Sequence, residues 1–243
     1  MLVAATSAFA LDVKTGEDVL TKMHDKYAGK WYKTLTFVQK TTNYKPDGTS
    51  TSEMWTEAMT VPGSLRIDIL DKPGDGILFT NGQIYSWRDG KANPARPFVH
   101  PLLVLGFDIY SQPIAKTIEQ VKAMGIDLSS VHEEMWQGRK MYVVGAAQGD
   151  LAKPQVWVDK DRLVFTRLFQ LGGRDKKVVQ ETQFNRYVKA GGGWVAAEVL
   201  FFVDGKKSTT EDYTEILTDT KLSTDLWDPA KWSAVDRNYY KKK

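Results

Sequence analysis

The side chains best suited to acid–base or metal chemistry in this chain are its three histidines, and their spacing supports neither. His24 falls in a helical pattern, His100 in an apolar mid-chain segment and His132 in a strand pattern, so no two have metal-ligand spacing. His132 and Glu134 share one face of their strand, but such a pair is far more often a solvated surface feature than a metal site. We therefore predict no metal site and no cofactor.

Motifs of covalent and nucleotide chemistry are also missing. The chain has no cysteine, which removes thiol nucleophiles, disulfides and thiolate metal ligands together. It contains no G-x-S-x-G elbow, Walker loop or dinucleotide fingerprint. The glycine run 191–193 follows a strand pattern but precedes no helix, so it lacks the helix N-terminus that binds phosphate. We interpret the protein as a non-enzyme without catalytic residues.

The charge of the chain is mixed along its length. Its 33 basic and 30 acidic residues are interleaved, which is typical of a solvated surface and not of a nucleic-acid interface. The tail 239–243 is the one local basic cluster, and it could make transient contact with anionic lipid headgroups. A hydrophobic content of 42% argues for a packed core over disorder.

Periodicity predicts a mainly β protein with a few helices. A capping-box pattern at Thr15 followed by apolar residues at helical spacing predicts a helix over 16–29. A second helix is predicted over 111–124, and the apolar segment 98–107 before it suits a loop with a short helical turn because it carries a proline and a glycine. Elsewhere, alternation and turn residues predict eleven or twelve strands in consecutive antiparallel hairpins.

The start of the chain indicates export. Residues 1–10, MLVAATSAFA, form a short apolar run that ends in an A-x-A pattern, typical of a signal-peptide cleavage site. An apolar N-terminal strand or a cytosolic start is the alternative. No later apolar run approaches the roughly 18 residues of a membrane-spanning helix. We expect a remnant of a signal peptide over 1–10 and one soluble, periplasmic domain over 11–243.

Several strands are apolar on both faces. Phe165 and Phe169 share one face by alternation while Leu168 lies on the other, the run 199–203 reads VLFFV, and Trp157 points away from its apolar neighbours. Since a sheet with one wet face should alternate cleanly, both faces of these strands must be covered. Helices could fill both sides and leave a packed core, or part of the cover could be a ligand.

The order of elements resembles the LolA/LolB-like superfamily of bacterial lipoprotein-carrier proteins. The first helix leads into the strand TFVQK at 36–40, which is similar to the family's opening. Val61 and Pro62 stand before an alternating strand where the carriers place a proline-marked turn. The segment 77–87 resembles their hairpin of an apolar strand, an N-G turn and an aromatic strand.

This resemblance implies an incomplete antiparallel β-barrel, or half-barrel, of about eleven strands, closed by the N-terminal helix and a mid-chain helical lid. It also implies a cavity for acyl chains. The carriers have a basic residue before the turn proline that is important for cargo release, whereas this chain has Val61 there and places Arg66 on a different register. The expected cavity residues are Leu65, Ile67, Ile69, Trp87, Phe165 and Phe169, with Leu102, Leu103 and Leu105 as the lid.

The sequence thus predicts a periplasmic binding or carrier protein for lipid-like ligands, such as lipoprotein acyl chains or another amphiphile. We expect a monomer that binds no nucleic acid and works with an envelope protein partner. Two alternatives stay open: an envelope sensor or protein-interaction module built on the same fold, and an enzyme acting on an envelope substrate.

Overall fold

The structure, a computed structural model, describes residues 12–241, so the predicted signal-peptide remnant 1–10 lies outside it. Within that range the chain forms fourteen strands. They are β1 (Thr34–Tyr44), β2 (Ser50–Thr60), β3 (Ser64–Ile69), β4 (Gly76–Thr80), β5 (Gln83–Arg88), β6 (Lys91–Ala92), β7 (Arg96–Pro97), β8 (Val131–Trp136), β9 (Arg139–Val144), β10 (Gln155–Asp159), β11 (Val164–Gly172), β12 (Val178–Ala190), β13 (Gly193–Val203) and β14 (Lys206–Thr218).

All strands belong to one open antiparallel sheet in the order β6-β5-β4-β3-β2-β1-β14-β13-β12-β11-β10-β9-β8, with β7 paired to β5. Two meanders, β1–β7 and β8–β14, are joined where β1 pairs with β14. This arrangement is consistent with the predicted half-barrel. The sequence yields eleven or twelve strands because β6 and β7 are two residues each, too short to show alternation.

Three helices accompany the sheet: α1 (Gly16–Tyr27), α2 (Pro101–Gly106) and α3 (Ile114–Ala123). The predicted capping box starts α1, since Thr15 Oγ1 accepts from the Asp18 amide and the Asp18 carboxylate accepts from the Thr15 amide. Gly16 is required by close packing, because a Cβ there would clash with Cγ1 of Val144 on β9. All three helices lie close to their predicted positions.

The helices pack on one face of the sheet, which we call the inner face, and one cluster of buried apolar side chains joins them to both meanders. Under the second meander this cluster is filled by aromatic rings. Trp31 stacks on Tyr110 with ring centroids 3.8 Å apart, and Tyr27 meets both rings edge-on. The glycine run 191–193 allows this packing, since a side chain at Gly192 or Gly193 would collide with the backbone of Lys30 or the ring of Trp31.

The opposite, outer face of the first meander is covered by the C-terminal segment 221–241. Trp232 stacks on Trp87 of β5 with ring centroids 4.0 Å apart and planes 3° apart, and Leu78 of β4 completes the cluster. The segment follows β14, which lies beside β1, so the chain crosses back over the strands that it made first. It therefore supplies an outer cover that strand periodicity does not reveal.

This cover encloses a buried ion pair. Arg66 Nε lies 2.7 Å from Asp68 Oδ2, with side-chain exposures of 0% and 2%. The guanidinium carbon of Arg66 stands 3.8 Å from the Trp232 ring centroid, and the Tyr239 hydroxyl donates to Asp68 Oδ2 at 2.9 Å. Aromatic residues of the C-terminal segment thus keep the pair dry and hydrogen-bonded, which a buried pair requires in order not to destabilise the fold.

We expect Trp232→Ala to lower the free energy of unfolding by about 3–5 kcal/mol, because it removes a buried ring and exposes the Arg66–Asp68 pair. Equilibrium urea unfolding measures the effect. The matched control is Tyr240→Ala, an aromatic residue of the same segment that is only half-buried and should cost less than about 1 kcal/mol. Equal losses for the two variants would contradict a specific role for Trp232.

Candidate functional site

A cavity of about 130 Å³ lies between α2 and the inner face of the sheet, where the two meanders join. Strands β1, β2 and β3 of the first meander and β12, β13 and β14 of the second form its floor. Helix α2, with the residues directly before and after it, forms its roof. Most of its lining is apolar or aromatic. The lining residues are Phe37, Trp55, Glu57, Met59, Leu65, Ile67, His100, Leu102, Leu103, Phe107, Phe184, Phe201, Glu211 and Tyr213.

Four of the sequence-predicted residues meet at this cavity. Leu65 and Ile67 of β3 form part of the floor, and Leu102 and Leu103 of α2 form part of the roof. Ile69 lies at the end of β3, partly exposed and outside the wall. Leu105 is fully buried in the main apolar cluster on the helix side and does not reach the cavity.

Trp87 lies on the outer face of the sheet. It packs with Leu78 and Trp232 and is separated from the cavity by the thickness of the sheet. The sequence pattern identifies Trp87 as buried but gives no sign of which face is the inner one. Its burial comes from the C-terminal segment, which alternation within β5 cannot predict.

Phe165 and Phe169 lie on opposite faces although their spacing predicts one face. A bulge where β10 pairs with β11, between Trp157 and Val158, inserts an extra residue into β11 and reverses the alternation. Phe165 therefore packs in the inner cluster, with its ring centroid 4.8 Å from that of Phe184, outside the cavity lining. Phe169 joins Trp157 in a separate outer cluster.

Two carboxyl side chains that sequence analysis did not select also line the cavity. Glu57 lies on β2 and Glu211 on β14, on either side of β1. Alternation along β2 could have identified Glu57 from the sequence. Glu57 falls between Trp55 and Met59, so all three side chains point to the same, inner face. A glutamate at such a position places a titratable group inside an apolar wall.

Burial raises the pKa of Glu57 well above its ordinary value, and the nearby Glu211 carboxyl raises it further. Burial likewise raises the pKa of Glu211 to about 7, although a hydrogen bond from Tyr213 opposes the rise. The Tyr213 hydroxyl donates to Glu211 Oε2 at 3.0 Å. Burial therefore favours the neutral form of Glu57, while Glu211 can exchange its proton near pH 7.

His100 stands at the N-terminus of α2 and caps it. Its Nδ1 accepts from the Leu102 amide at 3.2 Å, which leaves the ring proton on Nε2. Burial lowers the pKa of His100 to about 4, so the ring stays neutral and can keep accepting. The imidazole also meets the Phe79 ring edge-on at 4.7 Å. At near-neutral pH the His100 ring is therefore in the neutral form that caps α2.

The position that carries a basic residue in the resembling carriers is apolar here. Val61 is buried in the main apolar cluster. Arg66 does not replace the missing charge, because it points to the outer face and pairs with Asp68 under Trp232. The cavity wall formed by residues 12–241 includes carboxyl groups and one neutral imidazole but no lysine or arginine.

The remaining polar candidates lie elsewhere. His132 Nε2 lies 3.3 Å from Glu134 Oε2 on β8, and no group of three metal-ligating side chains forms within the part of the chain that the structure describes. Nor does any helix of that part have the length and apolarity needed to cross a membrane.

The geometry defines a large open antiparallel sheet whose helices enclose an apolar cavity. At the level of sequence, no family model and no curated protein matches the chain. Similarity to solved structures is clear. A DUF1329 family protein from Desulfovibrio piger aligns with a TM-score of 0.61 at 14% identity, covering 88% of this chain and 96% of that one.

Two further solved structures carry the name of the resembling group. A domain from Vibrio parahaemolyticus, assigned as an outer membrane lipoprotein-sorting protein domain, aligns with a TM-score of 0.63 at 12% identity, over 90% of this chain and 98% of that one. A LolA superfamily protein from Nitrosomonas europaea aligns with a TM-score of 0.55 at 11% identity, over 90% and 99%. The predicted LolA/LolB-like fold is thereby confirmed.

The raised pKa of Glu211 gives stability a definite pH dependence. The folded protein keeps a proton on Glu211 that the unfolded chain releases above its ordinary pKa of 4.5, so stability falls as the pH rises from there to about 7. Glutamine cannot titrate. We therefore expect Glu211→Gln to gain stability relative to the wild type by up to about 1.4 kcal/mol per pH unit over this window.

Urea unfolding of both proteins at several pH values measures this difference. Comparing the variant with the wild type cancels the opposite slope from His100, whose lowered pKa makes stability rise with pH between about 4 and 6.5. Glu119→Gln, an exposed glutamate of α3, is the matched control and should run parallel to the wild type. A parallel curve for Glu211→Gln as well would show that Glu211 has an ordinary pKa.

Proposed function

We propose that the protein is a periplasmic binding or carrier protein that holds the apolar part of a lipid-like ligand in the cavity beneath α2. The observation that carries the proposal is the apolar cavity itself, placed between the inner face and a short helix in a LolA/LolB-like fold. Two of the similar structures bear names of lipoprotein-sorting or LolA superfamily proteins, which supports the ligand class. Binding, not catalysis, is the activity that this wall serves.

The size of the cavity supports a role for α2 as a lid. A cavity of about 130 Å³ is below the 300–1,000 Å³ typical of ligand pockets, so an acyl chain does not fit while the roof is closed. Two more cavities border the same segment, of about 500 Å³ and 320 Å³, and His100 lines all three. Moving α2 outward would merge them into one groove long enough for a chain.

Apolar contact alone supplies enough driving force. Each buried methylene contributes about 0.8 kcal/mol, so a chain of about a dozen methylenes exceeds the ordering cost of a six-residue lid. The ligand therefore needs no charged anchor to bind. Release then depends on lid movement, since Val61 supplies no charge at the turn.

We expect protein purified from a bacterial envelope to carry a bound amphiphile, detected by native mass spectrometry and by lipid extraction. Ile67→Asp places a charge on the cavity floor and should reduce the bound fraction at least about tenfold, with a smaller effect on thermal stability. Leu102→Asp, at a half-buried roof position, is a second variant should the first not fold.

Val188→Asp, at an exposed position of β12, is the control and should keep its ligand. Equal loss of binding and stability in Ile67→Asp and Leu102→Asp would identify plain core positions. A wild-type protein that carries no lipid but holds one stoichiometric protein partner would contradict carriage and favour an interaction module.

The lid can be tested separately through its cap. His100→Ala removes the acceptor for the Leu102 amide, which should destabilise α2 by about 1–2 kcal/mol. Hydrogen exchange of the α2 amides should then accelerate about 5–30-fold, while the amides of α1 and the central strands keep their rates. Unchanged exchange in α2 would show that the helix does not open as a unit.

A further inference from the structure

The cavity wall formed by residues 12–241 carries acidic side chains but no lysine or arginine. Glu57 and Glu211 bring two carboxyl groups into an apolar enclosure, and the wall contributed by residues 12–241 includes no lysine or arginine to pair with them. The titratable groups that line the cavity are these two glutamates, Tyr213 and the neutral His100. Burying two carboxyl groups lowers the stability of the fold, and a site that holds only hydrocarbon gains nothing from them.

The acids converge because their strands are neighbours. β1 lies between β2 and β14, and Phe37 of β1 pairs directly with Glu57 while Thr41 pairs with Glu211. Gln39 stands between these two positions on the same face of β1. The carboxyls are close enough that Glu211 raises the pKa of Glu57. The two carboxyl side chains thus face one volume, whose lining does not include Gln39.

One of the two acids has no partner of its own. Glu57 is only 5% exposed and lines the cavity, and its carboxyl takes part in no hydrogen bond or ion pair with residues 12–241. Glu211, by contrast, is hydrogen-bonded by Tyr213 and Gln39. Buried polar groups are normally satisfied, so the Glu57 carboxyl indicates a donor that arrives with the ligand.

We propose that the ligand of this cavity is an amphiphile bearing one cationic amine, held by Glu57 and Glu211. This inference rests on the proposed apolar-ligand function and names the ligand class. A primary ammonium carries three donors and no acceptor, which matches the carboxyl oxygens that these two side chains present to the cavity. Its charge would be balanced by ionisation of a carboxyl that already exchanges protons near pH 7.

The walls favour the same chemistry. The Phe37 and Tyr213 rings are stacked with centroids 4.1 Å apart beside the acids, and Trp55 also lines the cavity. Aromatic faces attract a desolvated cation, so they assist an ammonium and do nothing for a neutral headgroup. A carboxylate headgroup would instead be repelled by the ionised fraction of Glu211.

Isothermal titration calorimetry with three eight-carbon probes tests the proposal: octylammonium, octanol and octanoate at pH 7. We expect octylammonium to bind at least about tenfold more tightly than octanol, and octanoate to bind most weakly. Titration in two buffers of different ionisation enthalpy should show that octylammonium binding releases protons and that octanol binding does not.

The variants Glu57→Gln and Glu211→Gln should each reduce the preference for octylammonium over octanol at least about tenfold while octanol still binds. Glu119→Gln on α3 is the matched control and should keep the preference. Equal binding of all three probes would overturn the amine proposal and leave the apolar-ligand function standing. If none of the three probes binds, both the amine proposal and the apolar-ligand function are overturned. If both cavity variants keep the preference for octylammonium over octanol, the ammonium binds elsewhere and the amine proposal is overturned.

Discussion

Strands β4, β10 and β11 carry large apolar side chains on both faces, so water must be kept from both sides of the sheet. The chain meets this constraint with two covers of different origin. The helices and the segments between them cover the inner face of both meanders. The C-terminal segment covers the outer face of the first meander, where Trp232 and Tyr239 also close over the Arg66–Asp68 pair. The site depends on this division, because the inner cover leaves the space of the cavity beneath α2.

The inner cover differs along the sheet. Beneath α1 the space is filled by Tyr27, Trp31 and Tyr110, whose rings pack edge-on and face to face. Beneath α2 the roof is a six-residue helix, too short to fill the same area. The inner face therefore has a packed core beneath α1 and a cavity beneath α2, where the two meanders join.

The sequence predicted the helices and the twelve longer strands, because these follow from local periodicity and turn chemistry. It predicted the LolA/LolB-like fold through the resemblance in the order of these elements. It placed Leu65, Ile67, Leu102 and Leu103 together through resemblance. It could not locate Trp87 and Phe169, since one depends on a segment more than a hundred residues away and the other on a bulge in β11. Alternation within a strand divides its side chains between two faces. Only the packing of segments that are distant in the sequence shows which face is the inner one.

The glutamates were missed for a related reason: a charged residue in a strand reads as solvated until its neighbours are known. Once β1, β2 and β14 are adjacent, Glu57 and Glu211 face one volume, where each raised pKa records a cost to the fold. Glutamine would keep the shape at lower cost. A wall that tolerates two carboxyls, with no lysine or arginine from residues 12–241 beside them, is the feature on which the proposed amine ligand rests.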